Sequence, residues 1–241
     1  MSNSLVQGSS FLLGSEQSIE SLAQKESARL LAVSDSHANA AALAFAIEKF
    51  GLTSDALVFC GDGVSDLAYL LQKASCDEIF FACIPPVVAF VRGNNDLGSY
   101  TFMSKNKAKE KATQKLVQIK VPLKAEFVAA GHRVSILHGH TLALYEGRAG
   151  LEKEAQNADI LFFGHTHIPS AGVFWGSEKK SFVVNPGSCS IPRACQPPSF
   201  AVLDLKKGSG EKDISSLVDC TFYEIKYPEP KPFLAPPLTV G

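Results

Sequence analysis

The chain has 241 residues, is 46% hydrophobic and carries 23 basic against 24 acidic residues, for a formal charge of −1. That length suits one large domain with a substantial core, and the charge balance argues against nucleic acid or an anionic membrane as principal partner. No apolar run reaches the roughly 18 residues of a membrane span, and the N-terminus lacks the basic lead of a signal peptide, so a cytoplasmic protein is expected.

Residues 1–28 are polar and Ser-rich, with a helix expected near 19–27, and read as an extension rather than a domain. A buried strand over 29–33 ends in Ser34-Asp35-Ser36-His37. An Ala-rich helix over 38–50 follows, with Leu43, Ile47 and Phe50 on one face. The next strand, 56–60, ends in Gly61-Asp62-Gly63, and residues 66–74 are helical in pattern. Residues 79–82 form a short apolar run, and a strand over 87–91 ends in Gly93-Asn94-Asn95-Asp96. The Lys-rich stretch 103–115 reads as a solvated helix face; strand-like alternation resumes at 116–119.

The second half has a different character. Segments 126–129 and 133–137 flank Gly131-His132 as a hairpin. His132, at the turn, is expected to be exposed, and the second strand ends in His138-Gly139-His140. A helix over 150–157 leads into the apolar strand 160–163 and then Gly164-His165-Thr166-His167. Segments 174–177 and 181–184 form another hairpin ending in Asn185-Pro186-Gly187-Ser188, in which Trp175 reads as packing. Strands at 201–205 and 222–227 precede a Pro-rich tail. Strand–helix alternation followed by hairpins predicts an α/β fold of two packed sheets with helices outside. The six cysteines show no C-x-x-C spacing, so neither a disulfide framework nor structural zinc is expected.

Five polar clusters follow five apolar strands in order: Asp35-x-His37, Gly61-Asp62, Gly93-Asn94, His138 and Gly164-His165-x-His167. Each alone has an ordinary reading as a turn or helix cap. As a set, they collect where α/β folds bind ligands, at the carboxyl ends of strands. Two Asp, one Asn and four His suit Mn, Fe, Zn, Co or Ni, and exceed what one tetrahedral ion needs. Two ions sharing a carboxylate would use them all. Arg92 and Arg193 are candidate phosphate contacts, with surface ion pairs as the alternative.

These motifs, with Asn185-Pro186-Gly187-Ser188 and Pro192-Arg193, resemble the calcineurin-like metallophosphoesterases, over roughly residues 29–205. Within that superfamily the chain is similar to the small bacterial and archaeal phosphodiesterase branch and to the metallophosphoesterase-fold subunit of retromer. The resemblance implies a four-layer αββα sandwich of two mixed sheets; residues 206–241 lie outside it and are expected to pack on the same domain. It implies that Asp35, His37 and His167 bind one divalent ion and Asn94, His138 and His165 another, with Asp62 bridging. Mn²⁺ is the expected metal, with Fe, Zn, Ni and Co as alternatives. A metal-bridging hydroxide would then attack the phosphorus of a small phosphate ester, with His140 free to meet substrate and Asn95 and Arg193 near its phosphate. Nucleic acid and membrane are not expected partners, and self-association is left open.

Many members of the superfamily have Gly-Asn-His-Asp/Glu, whose histidine protonates the leaving group. Here that position is Asn95, and an amide is no general acid at neutral pH. The rival reading is a retromer-like binding scaffold with a vestigial metal site. Retention of metal-binding side chains at all seven ligand positions favours an enzyme.

Overall fold

The strands that carry the motifs are short and apolar on both faces. In the computed structural model, which describes residues 3–106, 113–140, 142, 148–176, 179–208 and 213–238, β2 (Ala56–Phe59), β3 (Val87–Phe90) and β8 (Ile160–Phe163) are buried at every position. Such runs fit strands covered on both sides rather than edge or surface strands. β1 (Ser27–Val33) pairs parallel with β2, and β2 with β3. On the other side of β1 lie β11 (Ser199–Lys206), β12 (Val218–Glu224) and β13 (Lys231–Phe233), each antiparallel to its neighbour, giving the order β13-β12-β11-β1-β2-β3.

The second sheet has the order β6-β7-β8-β10-β9. β6 (Lys124–Ala129) and β7 (His132–Leu137) form an antiparallel hairpin, and β7, β8 and β10 (Lys180–Asn185) run parallel. β9 (Ser170–Trp175) closes this sheet, antiparallel to β10.

Alternation along the strands sorts the core into layers. Leu31, Val33, Leu57, Phe59, Val88 and Phe90 face α2 (Ala40–Phe50), α3 (Val64–Cys76) and α4 (Glu78–Cys83). Their neighbours Leu30, Ala32, Val58 and Ala89 face Val134, Ile136, Ile160 and Phe162 of the second sheet. Leu137, Leu161, Phe163 and Val183 face α5 (Arg148–Ala155) through Leu151 and Ala155. The result is helix, sheet, sheet, helix, as the sequence and the resemblance predict. Each fully buried large apolar side chain contributes about 1.5–3 kcal/mol, so the shared layer between the sheets holds their relative positions firmly. No helix among the described residues is long and apolar enough to cross a membrane.

The ends of the chain join this frame. α1 (Glu16–Gln24) is capped by the Ser15 side chain and covers the β6–β7 turn, where Ala130 N–H donates to the Leu22 carbonyl at 2.9 Å. Leu13 bridges to Val88 at the edge of β3, and Leu12 and Leu22 enter the inter-sheet core. At the other end, β12 and β13 extend the first sheet.

Two expectations fail. The Lys-rich stretch 103–115 is not a helix: β4 (Ser99–Asn106) and β5 (Thr113–Lys120) pair antiparallel through it, with 107–112 outside the described residues. Phe102 and Ile119 are buried against α3, while Leu116 and Lys120 are exposed on the other face of β5, a pattern with period two rather than 3.6. His132 is buried rather than exposed, with Nε2 2.9 Å from the Lys206 carbonyl oxygen, because β11 runs past the turn.

Candidate metal centre

Parallel pairing brings the carboxyl ends of β1, β2 and β3 to one edge of their sheet, and those of β7, β8 and β10 to one edge of the other. The two edges meet, and the loops that leave them form the site. Asp35 and His138 are fully buried, Asp62 and His167 nearly so. His165 is half-buried, and Asn94, Asn95, His140 and Arg193 are exposed around it.

Asp35 sits at the centre. Its Oδ2 accepts from Ser34 Oγ (2.5 Å) and from the His165 backbone N–H (3.0 Å). Its Oδ1 is buried and accepts no hydrogen bond of proper geometry among the described residues, although three imidazole Nε2 atoms face it. They belong to His167, His37 and His138, at 3.2, 3.7 and 3.9 Å. Asp62 Oδ2 lies 3.6 Å from His138 Nε2 and 3.8 Å from His37 Nε2. Two groups thus form, Asp35-His37-His167 and Asp35-Asp62-His138, each with ligand atoms within 4.8 Å of one another. His165 stands beside them, and Asn94 is exposed in the loop after β3. The His165 ring is 5.1 Å from that of His138 between centroids, and His140 is 5.2 Å from His138 on another side.

The imidazoles are oriented for coordination. His138 Nδ1 donates to the Cys60 carbonyl (2.7 Å) and His167 Nδ1 to the Ile191 carbonyl (2.6 Å), tautomers that turn both Nε2 lone pairs inward. Burial disfavours the charged form of both rings, but the facing carboxylates outweigh it and raise their pKa values. Burial likewise pushes the Asp62 carboxyl up. The facing His138 and the donors of Asn95 more than offset this, leaving it well below the usual carboxylate range. His140 and His165 are shifted down, by burial first and then by the neighbouring His138. A buried carboxylate oxygen without a donor, surrounded by inward-facing imidazole nitrogens, is the environment of a divalent cation. The residues present fit such an ion.

The backbone is held out of its ordinary range to achieve this. Asp35, His37, Asp62, His165 and His167, five of the seven expected ligands, have φ between 44° and 72°. Left-handed conformations in residues other than glycine cost roughly 1–3 kcal/mol each and cluster at functional sites. Two glycines permit the close packing. A Cβ on Gly93 would overlap the Asp62 carboxylate, and one on Gly164 would reach 2.7 Å from Asp35 Oδ2.

With this geometry in place the comparison with known proteins is decisive. The sequence profile of the calcineurin-like phosphoesterase superfamily domain matches residues 29–208. The chain belongs to that superfamily. As a calcineurin-like phosphoesterase it is 30% identical over 80 residues to the probable metallophosphoesterase YsnB of Bacillus subtilis and 39% identical over 72 residues to the phosphodiesterase YfcE of Escherichia coli K12. These stretches cover 32% and 30% of the chain, but only 45% and 34% of the two relatives. The fold matches a predicted phosphoesterase from Streptococcus pneumoniae (TM-score 0.56, 20% identity, 87% of this chain and 98% of that one). It also matches Vacuolar Protein Sorting 29 from Cryptosporidium parvum (TM-score 0.54, 18% identity, 87% and 97%).

In this member of the superfamily, Asp96, Asn185 and Ser188, which sequence reasoning left without a role, brace the ligand loops. The Asp96 carboxylate accepts from four backbone N–H groups, those of Asp62 (2.7 Å), Gly93 (2.9 Å), Gly63 (3.0 Å) and Val64 (2.8 Å). It pins the β2 and β3 loops together and caps α3. Asn95 donates to Asp62 through its backbone (2.8 Å) and side chain (2.7 Å). Asn185 Nδ2 bonds the Gly164 carbonyl and Thr166 Oγ1, and Ser188 Oγ donates to the Asp35 carbonyl at 2.7 Å. The Asn-Pro-Gly-Ser motif was visible as sequence; that it braces two ligand loops depended on where β10 ends. Arg193 N–H donates to the His167 carbonyl, which places that exposed arginine next to the centre.

Proposed function

We propose that this chain is a dinuclear metal-dependent phosphodiesterase acting on a small phosphate ester. The observation that carries this reading is the convergence of two largely buried ligand groups on one carboxylate, Asp35, whose Oδ1 faces three imidazoles and accepts no hydrogen bond among the described residues. Asp35, His37 and His167 hold one ion, Asn94, His138 and His165 the other, and Asp62 lies between them. Mn²⁺ is the preferred metal, with Fe, Zn, Ni or Co able to use the same donors. When bound, the ions supply Lewis-acid stabilisation of phosphoryl charge and a nucleophile at neutral pH.

The protein's own residues do the rest. The buried walls around Asp35 exclude bulk water from one side of the centre, and Asp96 and Asn185 hold the ligand loops in register. Arg193 pairs with phosphate oxygens at the rim. His140, whose pKa is lowered by burial and then by the neighbouring His138, lies beside the centre and orients the ester by hydrogen bonding. Asn95 positions Asp62 and adds an amide donor near the phosphate.

The test is metal analysis of the purified protein alongside hydrolysis of bis-p-nitrophenyl and p-nitrophenyl phosphate with added Mn²⁺. Retained metal with Mn²⁺-stimulated hydrolysis, faster on the diester, is expected. Protein that holds no metal and hydrolyses neither ester would instead support a binding scaffold.

A further inference from the structure

Outside the metal centre, one strand edge differs from all the others. The β3 edge is closed by Leu13, whose backbone exchanges hydrogen bonds of 2.9 and 2.8 Å with Val88. At β9 a bridge from Ala171 to Pro237 does the same, and α1 lies against β6. β13 has three residues, one of them Pro232. In the β4–β5 ribbon, the outer side of β4 is covered by α3: Met103 N–H donates to Gln72 Oε1 (3.2 Å) and Ser75 Oγ to the Met103 carbonyl (3.1 Å). On the outer side of β5 only Lys120 is met among the described residues. The Gln7 side-chain amide bonds both its N–H (2.8 Å) and its C=O (2.7 Å), as a neighbouring strand would.

In an antiparallel ribbon the backbone groups of alternate residues point to the same side. The side on which Gln7 meets Lys120 therefore also presents Gln118 and Leu116, and no hydrogen bond among the described residues satisfies them there. This open edge forms one wall of a groove of about 590 Å³, with residues 5–11 of the N-terminal segment as the other wall. Val6, Phe11 and Leu116 line it, 60%, 41% and 61% exposed, between exposed Lys115 and Lys120.

We propose that this edge is a docking site for an extended acidic segment of a partner protein, added to β5 as a further strand. Main-chain hydrogen bonds to Leu116 and Gln118 supply the pairing, and alternate side chains supply the selection. Apolar residues of the segment cover Val6, Phe11 and Leu116, carboxylates on the intervening positions meet Lys115 on the opposite face, and Lys120 meets the carboxylate at the end of the segment. The charge decides the kind of occupant. Two-fold pairing of this edge with a second copy would line up the lysines of both copies along one short ladder, where like charges are destabilising. A foreign acidic strand turns the same lysines into an attraction.

The probe is a fluorescein-labelled Glu-Val-Glu-Val-Glu-Val peptide, followed by fluorescence anisotropy on the full chain. Saturable binding is expected. It should weaken about tenfold or more when alternate backbone nitrogens of the peptide are methylated, and similarly for the Lys115→Glu/Lys120→Glu variant, with the circular dichroism spectrum unchanged. A Lys-Val counterpart should not bind. Absence of saturable binding overturns the proposal, as does equal binding of the methylated peptide, which would reduce the effect to charge alone. Sedimentation showing a dimer of this chain that Leu116→Glu dissociates would assign the edge to a second copy and overturn it as well.

Discussion

At the level of single residues, function concentrates where polar groups are buried and crowded. Asp62 faces a histidine of each ligand group and takes two hydrogen bonds from Asn95. Asp62→Asn removes the charge that both ions share, and kcat on bis-p-nitrophenyl phosphate should fall by more than about a thousandfold. Asp96 is a positioning residue. Asp96→Ala strands four backbone N–H groups and frees the β2 and β3 loops, so Mn²⁺ affinity measured by calorimetry should drop about 10–100-fold. Asn95 is an amide where many superfamily members have a histidine and supplies no proton to a leaving group, and burial with the neighbouring His138 lowers the pKa of His140. Hydrolysis should therefore depend steeply on leaving-group pKa, with aryl diesters faster than alkyl diesters by about a hundredfold or more. Equal rates on both would sink this assignment.

At the level of elements, the site depends on where strands end and what ties those ends down. Asp159 opens β8 and fastens three segments at once. Its carboxylate accepts from the Arg133 N–H (2.6 Å) and forms an ion pair with Lys179 Nζ (2.5 Å), and its carbonyl accepts from the Phe182 N–H (2.8 Å). Burial pushes its pKa up, but Lys179 and Arg133 prevail, and the folded value lies below the ordinary 3.8. A lowered carboxyl pKa contributes stability in full above the unfolded value and loses it as pH falls through the folded one. Asp159→Ala should cost about 1–3 kcal/mol at pH 7 by urea unfolding. The gap from the wild type should narrow once the pH drops below about 3.8; a gap that held constant into acid would show that charge plays no part. The elements also show where periodicity misled. The lysines at 103–115 suggested a solvated helix, yet β4 and β5 bury Phe102 and Ile119 and leave Leu116 and Lys120 exposed on the other face of β5. A Lys-rich strand and a Lys-rich helix look alike when only one face of a short stretch carries large apolar residues.

At the level of the molecule, the N-terminal segment belongs to the frame. Leu13 is fully buried, bridges to β3 and packs in the outer core with Val88 and Phe80. Leu13→Ala should destabilise the whole fold by about 2–5 kcal/mol in a cooperative thermal or urea transition. A loss under 1 kcal/mol would mean that the segment is peripheral.

By itself the sequence determined the layers and the inventory of the site. Continuous apolar strands demand cover on both faces, and the polar residues directly behind them had nowhere to go but the strand ends. Five such clusters in order already pointed to metal and to the superfamily. Other features were decided only in three dimensions. The meeting of Asp35 with His138 and His167 depends on how the two sheets stack, a contact between residues more than a hundred positions apart. The bracing roles of Asp96, Asn185 and Ser188, the burial of His132 beneath β11 and the open edge of β5 are of the same kind. Local pattern reports which groups a segment must bury or expose, whereas tertiary packing alone decides which distant groups satisfy them.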